Sequence, residues 1–327
     1  MITNFCCCFY PTTVVCVDDD VHLLKWMTLL LEEQFKVLAF HDPLISLAFI
    51  EAAGILSSKN QMNQAKLDPN VLYFDLNIQK IHTLIYDAKR SAEISTLVID
   101  YYMPGLNGLE LCKHFKNEAC KKILLTGEVD QQMAVVAFND GVIDQFVMKG
   151  QAQVMEELQV QIKRMQWQYF FEKTRSLTDS LLQAYPQVFS YLEDLEFCEA
   201  FYTFLRQHKI KEGYLFNGES DYLLIDQSNQ LWWLSIKNQY AIQTLIHDAE
   251  NEFLQEPSPE AEAIFKVVKS GKKLPLTVLS KKVLDISEWE RILVHPIAIM
   301  TTKETYQVLL SPDVGQAHLR YDAIKFI

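Results

Sequence analysis

The most constraining feature of this sequence is a short apolar run that ends in a single carboxylate. The run Leu97-Val98-Ile99 is followed by Asp100, a Met-Pro-Gly turn and a helical pattern that begins near Asn107. An apolar run bounded by turn residues is typical of a strand that is buried on both faces, as in a parallel sheet. Ligands of such sheets bind at the carboxyl ends of the strands. The stretch therefore predicts that Asp100 stands at the ligand-binding edge of an α/β sheet.

Three further apolar runs with strand character also end in polar side chains. Because the carboxyl ends of parallel strands meet at one edge of a sheet, we expect these side chains to lie near Asp100. In chain order, the other strand ends carry Asp18, Asp19, Thr126 and Lys149. Helix capping would explain Asp100 alone, but it does not explain five such side chains in this order.

An acidic pair, an Asp, a Thr and a Lys at successive strand ends resemble the CheY-like receiver domain of two-component response regulators, over residues 12–165. The resemblance implies an α/β fold with a doubly wound, five-stranded parallel sheet in flavodoxin-like order. It also implies that Asp100 accepts a phosphoryl group from a sensor histidine kinase. Lys149 would neutralise a phosphoryl oxygen, Thr126 would donate its hydroxyl to another once phosphorylation has occurred, and Phe146 would be the switch aromatic.

The same resemblance implies a Mg²⁺ cofactor beside the phosphoacceptor. Its ligands would be the carboxylates of Asp18, Asp19 and Asp100 and the backbone carbonyl of Tyr102. Mg²⁺ prefers octahedral coordination by oxygen. Because clustered carboxylates repel one another, the ion would also stabilise the ionised site.

The predicted organisation is an N-terminal extension (1–11), a receiver domain (12–165), a helical linker (166–185) and an α+β output domain (186–327). An insertion at about residues 54–93, with an amphipathic helix near 77–90, interrupts the receiver. It is interpreted as a structural or interaction element, and His82 within it as a surface or packing residue.

Three adjacent cysteines, at 6–8, lie in the N-terminal extension. Adjacent residues converge poorly on one tetrahedral ion, so we expect the extension to pack against the first strand rather than to bind metal. Palmitoylation stays open as an alternative.

The output half carries no motif that names its activity. Its lysines cluster at 266–273 and 281–282. Such a cluster is usually a solvated face, but with Trp232 and Trp233 as stacking partners it would bind a nucleotide or a single strand. Two hypotheses remain: a phospho-switch whose output makes protein or nucleic-acid contacts, and a phospho-regulated enzyme that binds or processes nucleotides.

An apolar stripe over residues 154–169 has helical spacing, so it can pack on its own domain or be covered by a second copy. We therefore predict a phosphorylation-dependent homodimer. The layout of the whole chain is similar to quorum-sensing response regulators of the Legionella type. That similarity implies a sensor kinase upstream.

Net charge and cysteine content bear on partners and location. The net charge of −12 argues against a protein that coats nucleic acid through bulk charge. The seven cysteines lack the spacing of a disulfide framework. No apolar stretch approaches the ~18 residues that span a bilayer. A cytoplasmic protein without a membrane partner is expected.

Overall fold

The computed structural model describes residues 5–58, 80–115, 120–127, 130–255, 257–276, 289 and 291–312. Contacts divide these residues into two compact units. As far as they are described, the first unit comprises residues 10–58 and 88–173, and the second unit comprises 5–9, 80–87 and 174–312.

The strands and helices of the described residues are as follows, in chain order. The strands are β1 (Cys8–Phe9), β2 (Thr13–Val17), β3 (Lys36–Phe40), β4 (Ile94–Asp100), β5 (Lys121–Thr126), β6 (Gln145–Met148), β7 (Ile210–Leu215), β8 (Asp221–Asp226), β9 (Leu231–Lys237), β10 (Leu274–Pro275), β11 (Leu293–Val294), β12 (Ile297–Met300) and β13 (Thr305–Ser311). The helices are α1 (Val21–Leu31), α2 (Pro43–Ser58), α3 (Gly108–His114), α4 (Gln131–Asn139), α5 (Val154–Ala184), α6 (Leu195–Gln207), α7 (Gln239–Gln255) and α8 (Pro259–Lys269).

The first unit is built on a five-stranded parallel sheet in the order β3-β2-β4-β5-β6. Helices cover both faces of this sheet: α1 and α5 pack on one face, and α2, α3 and α4 pack on the other, so that each face has its own hydrophobic core. Successive residues of β4 pack into opposite cores. Val98 packs with α1 and α5, whereas Leu97 and Ile99 pack with α2, α3 and α4. The continuous apolar run before Asp100 is thereby explained, and the predicted doubly wound sheet is confirmed.

The second unit contains a six-stranded sheet in the order β1-β7-β8-β9-β13-β12, with antiparallel neighbours, and the short pair β10-β11. It is the predicted α+β part. Its helix α6 begins at Leu195, because the Asp194 side chain accepts the N–H groups of Glu196 and Phe197 and caps the helix there.

The N-terminal segment corrects one prediction. Instead of packing against the strand at 14–17, residues 8–9 pair with β7, with Phe9 opposite Gly213. A Cβ atom on Gly213 would lie 2.4 Å from the Phe9 ring, so glycine leaves the room for this pairing. Phe5 enters the aromatic core of the second unit, 5.1 Å from the ring of Phe201. Pairing with β7, which would otherwise be the edge strand of the sheet, and packing in the aromatic core thus hold the segment in the second unit.

The three adjacent cysteines are buried with this segment. Burial raises the pKa of the Cys7 thiol to about 12, although its hydrogen bond with Thr178 opposes the rise. Thiols buried in a packed segment have little access to solvent or to an acylating enzyme. The packing role predicted for this stretch holds, but in the second unit.

The apolar stripe of α5 is not a free surface. Leu158, Ile162 and Met165 pack in the core between α1, α5 and the sheet, and Tyr169 is also buried. Farther along the helix, Phe170, Leu177 and Leu181 are buried as well. Of the two alternatives, packing on its own domain therefore holds for this stripe, and a second copy does not cover it.

The insertion belongs partly to the second unit. Residues 80–85 are helical, and Ile81 and Ile85 are fully buried. His82 stacks on Phe216 with ring centroids 4.2 Å apart, and its Nε2 lies 2.7 Å from the Phe216 carbonyl oxygen. Burial lowers the pKa of His82. It is therefore a packing residue, as predicted, although the insertion was assigned to the receiver as a whole.

Some predicted features lie outside the described residues. They are the insertion at 59–79 and the lysines at 281–282. Within the described part of the chain, no helix is both long and apolar enough to cross a membrane.

Candidate functional site

Three consecutive aspartates follow β2, and each has a different role. Asp18 is fully buried, and its Oδ1 accepts the backbone N–H of Asp20 at 2.9 Å. Asp19 is exposed. Asp20 caps α1 by accepting the N–H groups of His22 and Leu23, and these bonds from the helix start lower its pKa. Capping of α1 by Asp20 thus fixes the turn that carries the other two carboxylates.

Asp100 ends β4 and is buried. The chain leaves it through a turn in which Gly105 has a φ of +82°, a conformation that favours glycine. Gly108, the first residue of α3, lies directly on the Asp100 backbone: a Cβ atom there would be 2.1 Å from the Asp100 carbonyl oxygen. The Asn107–Glu110 capping box fixes the start of the helix. The backbone before and after Asp100 is therefore tightly defined.

The ends of β5 and β6 complete the edge. Thr126 is fully buried, and its hydroxyl donates to the Gly127 carbonyl at 3.2 Å. The backbone N–H of Lys149 donates to the Thr126 carbonyl at 2.9 Å, which joins the two strand ends. The Lys149 ammonium lies 2.8 Å from Asp18 Oδ2 and 2.7 Å from Asp100 Oδ1. Lys149 thus bridges two carboxylates from different strands.

The electrostatics of the site are dominated by burial and negative charge. Burial raises the pKa of Asp100; Lys149 opposes the rise, and the carboxylates of Asp18 and Asp19 add to it. Burial alone would lower the pKa of Lys149, but its bonds to Asp100 and Asp18 outweigh burial, so the pKa is raised. Lys149 pairs with two of the three clustered carboxylates, so negative charge remains in excess and the site favours a further cation.

The residues fit a divalent cation. One oxygen from each of Asp18, Asp19 and Asp100 lies within 4.8 Å of the other two. Oxygens bound to Mg²⁺ at about 2.0–2.1 Å are at most about 4 Å apart, so small side-chain rotations suffice to bring these atoms together. An all-oxygen donor set with excess negative charge suits Mg²⁺ better than a soft transition metal.

Comparison with known proteins supports one interpretation of this geometry. No protein-family model and no curated protein sequence matches the chain. Among solved structures, the Legionella pneumophila response regulator LqsR is similar over 99% of this chain and 94% of that one, with a TM-score of 0.74 and 26% identity. The chain is a response regulator with a receiver domain.

Isolated receiver domains match only part of the chain. A receiver domain protein from Clostridium thermocellum is 18% identical, with a TM-score of 0.31, over 47% of this chain and 93% of that one. A Francisella receiver domain is 16% identical, with a TM-score of 0.32, over 47% and 96% of the two chains.

The structure brings most of the predicted receiver residues together. Asp18, Asp19, Asp100 and Lys149 form one cluster. Thr126 is joined to it through the backbone of Lys149 rather than through its hydroxyl. The Tyr102 side chain is 78% exposed in the loop after Asp100, and Phe146 is a half-buried residue of β6 packed against the core of α2, α3 and α4. Two roles remain predictions: Phe146 as the switch aromatic, and the Tyr102 carbonyl as a metal ligand.

Two residues of the receiver site were missed from the sequence. Asp20 looks like a third candidate ligand, yet its carboxylate is committed to the helix cap. The available signal was its position directly before the α1 pattern, which is the preferred place for a capping Asp. Gly108 gave a weaker signal, because a glycine at a helix start indicates close approach only when the neighbouring backbone is known.

Proposed function

We propose that this response regulator accepts a phosphoryl group on Asp100 from a sensor histidine kinase and thereby switches its second unit. The observation that carries the proposal is the Lys149 ammonium bridging Asp18 and Asp100 within a cluster of three carboxylates. In the transfer, a carboxylate oxygen of Asp100 forms the bond to phosphorus as the bond to the histidine nitrogen of the kinase breaks. Lys149 and Thr126 would bind oxygens of the transferred group.

Mg²⁺ is part of the proposal. Asp18, Asp19, Asp100 and the Tyr102 carbonyl would hold it, and the bound ion would neutralise charge on the phosphoryl oxygens. Lys149 pairs with the carboxylates of both Asp100 and Asp18 and so holds them in place. Asp20 caps α1 and thereby fixes the turn that carries Asp18 and Asp19. Burial of Asp100 and Thr126 keeps water from much of their surface.

The test is phosphoryl labelling of the full chain with a phosphorylated kinase or acetyl phosphate. We expect wild type to be labelled with Mg²⁺, labelling to be lost with EDTA, and Asp100→Asn to remain unlabelled. Asp144→Asn is the matched control, because Asp144 also pairs with a lysine, Lys121, but at the amino end of the strands. Label that persists in Asp100→Asn would show that another residue is the phosphoacceptor.

Homodimerisation on phosphorylation remains part of the proposal, on a surface different from the stripe of α5. The exposed side of α4 carries Met133 and Val136, which lie one helical turn apart and are 50% and 53% exposed. Contiguous exposed apolar side chains mark interaction surfaces. Burying about 300 Å² of apolar area contributes about 7 kcal/mol before the entropy cost of association.

We expect beryllofluoride with Mg²⁺, a phosphoryl mimic, to raise the dimer fraction of wild type in analytical ultracentrifugation. Val136→Glu should prevent this rise, because it places a charge on the apolar face. Leu29→Glu, at an exposed apolar position on α1, should dimerise like wild type. An unchanged mass of wild type across the micromolar range would reject the dimer.

The downstream role is proposed to lie in quorum sensing. Its support is the layout of the chain and its match over 99% of its length to a Legionella response regulator. The alternative of a nucleotide-binding or nucleotide-processing second unit rests on the sequence alone. Trp233 is fully buried rather than offered for stacking, and the exposed Lys266 pairs with Glu262 at 2.7 Å.

A further inference from the structure

The chain passes between its two units at three places within the described residues. These places are residues 9–10, 87–88 and 173–174. On the first-unit side, each is close in sequence to one member of a single side-chain cluster: Tyr10, Glu93 and Lys173. Tyr169, one helical turn before Lys173, is the fourth member. We refer to these four residues as the Glu93 cluster.

Glu93 is the centre of the cluster. The Lys173 ammonium donates to both Glu93 carboxylate oxygens, at 2.6 and 2.7 Å. The Tyr10 hydroxyl donates to Oε2 at 2.5 Å, and the Tyr169 hydroxyl donates to Oε1. Lys173 also donates to the Tyr10 hydroxyl at 2.7 Å and lies over both tyrosine rings. Charge-assisted bonds of this kind are stronger than neutral ones, and Glu93 and Lys173 are each only 16% exposed.

The three connecting segments also lead to the phosphorylation site. Glu93 directly precedes β4, and Asp100 is the last residue of that strand. Tyr10 leads into β2, which ends just before Asp18. Lys173 lies on α5, the helix that follows Lys149. The Glu93 carbonyl also accepts the N–H of Thr13 at 2.8 Å, so β2 and β4 are joined at this edge. The cluster and the site therefore occupy opposite ends of the same strands.

We propose that Glu93 is a positioning residue that couples the phosphorylation site to the second unit. It holds the three connecting segments in register with β2 and β4, so that a displacement of these strands and of α5 at the site reaches the second unit through all three segments together. The inference rests on the proposed function, because phosphorylation of Asp100 supplies the displacement.

A purely structural ion pair on the same helix provides the comparison. Glu172, one residue before Lys173, binds Lys121 of β5 at 2.6 Å, the same distance as between Lys173 and Glu93. Lys121 is not next to any of the three connections. Losing the Glu172 pair should weaken the packing of α5, but it should not change the coupling.

The experiment is hydrogen–deuterium exchange of the full chain in Mg²⁺, with and without beryllofluoride, read by mass spectrometry. In wild type and in Glu172→Gln, we expect exchange to change both at the site (residues 120–127) and in the second unit (5–9, 174–184 and β7). In Glu93→Gln, the change at the site is retained and the change in the second unit is lost. If Glu93→Gln does not fold, Lys173→Gln removes the same ion pair and should give the same loss.

The outcomes separate this inference from the proposed function. No response at residues 120–127 of wild type would reject the proposed function and the inference with it. A response there without one in the second unit of wild type would reject the coupling alone. The inference is also overturned if the second unit of the Glu93 or Lys173 variant responds as wild type does, or if Glu172→Gln loses the response equally.

Discussion

Lys149→Gln is expected to slow phosphorylation of Asp100 by about 100- to 1,000-fold, the usual effect of removing one preorganised group that stabilises charge in a transition state. Lys149 contacts both Asp18 and Asp100, and it is the cation of this cluster among the described residues. Glutamine keeps a hydrogen-bond donor of similar length but removes the charge. Because Lys149 opposes the rise in the pKa of Asp100, its loss also raises that pKa further, which reduces the fraction of Asp100 that is ionised.

The rate would be measured with acetyl phosphate at saturating Mg²⁺, so that the assay does not depend on kinase docking. Lys121→Gln is the matched control, because Lys121 also binds two carboxylates, Asp144 and Glu172, at the amino end of the same sheet. Lys149→Arg should recover only part of the rate, since it restores the charge with a different shape. If Lys149→Gln and Lys121→Gln react at the same rate, Lys149 has no specific role at the site.

The sequence predicted the receiver fold and most of its site because both depend on local patterns. Each strand of the parallel sheet is a short apolar run, and parallel strands bring their carboxyl ends to one edge. Asp18, Asp100 and Lys149 therefore meet as expected. The order of these residues along the chain was sufficient to predict that they meet, without knowledge of their side-chain geometry. The flavodoxin-like strand order came from the family resemblance and is confirmed by the pairing of β2 with both β3 and β4.

The features that were missed depend on long-range packing. The pairing of β1 with β7 joins residues that are about two hundred positions apart, and an apolar segment does not indicate which sheet edge it will cover. For the stripe of α5, packing on its own domain and a dimer surface both stayed open, because helical spacing shows only that one face is apolar. In this chain the sheet of the first unit covers that face. The Glu93 cluster likewise combines residues from three distant parts of the chain.

Gly108→Ala is expected to destabilise the receiver by about 1–3 kcal/mol, the usual cost of overpacking. Helix propensity alone predicts the opposite sign, since alanine in place of glycine within a helix stabilises it by about 1 kcal/mol. Sterics decide the sign here, because the added Cβ would lie 2.1 Å from the Asp100 carbonyl oxygen and 2.9 Å from its carbon. Backbone atoms cannot rotate away as a side chain can. The start of α3 must therefore move, which strains the bond from the Gly108 N–H to the Tyr101 carbonyl, 2.9 Å long in the native protein.

The free energy of unfolding would be measured by urea denaturation of both variants and wild type. Gly127→Ala is the matched control, because Gly127 also adjoins the site, after Thr126, but a Cβ there meets no atom within 4 Å. Its stability should stay within about 0.5 kcal/mol of wild type. The displacement in Gly108→Ala should also slow labelling of Asp100, since the carbonyl that is pushed belongs to the phosphoacceptor. Equal stability of the two variants would mean that the turn between Asp100 and α3 yields freely, and Gly108 would then have no part in holding Asp100 at the edge of the sheet.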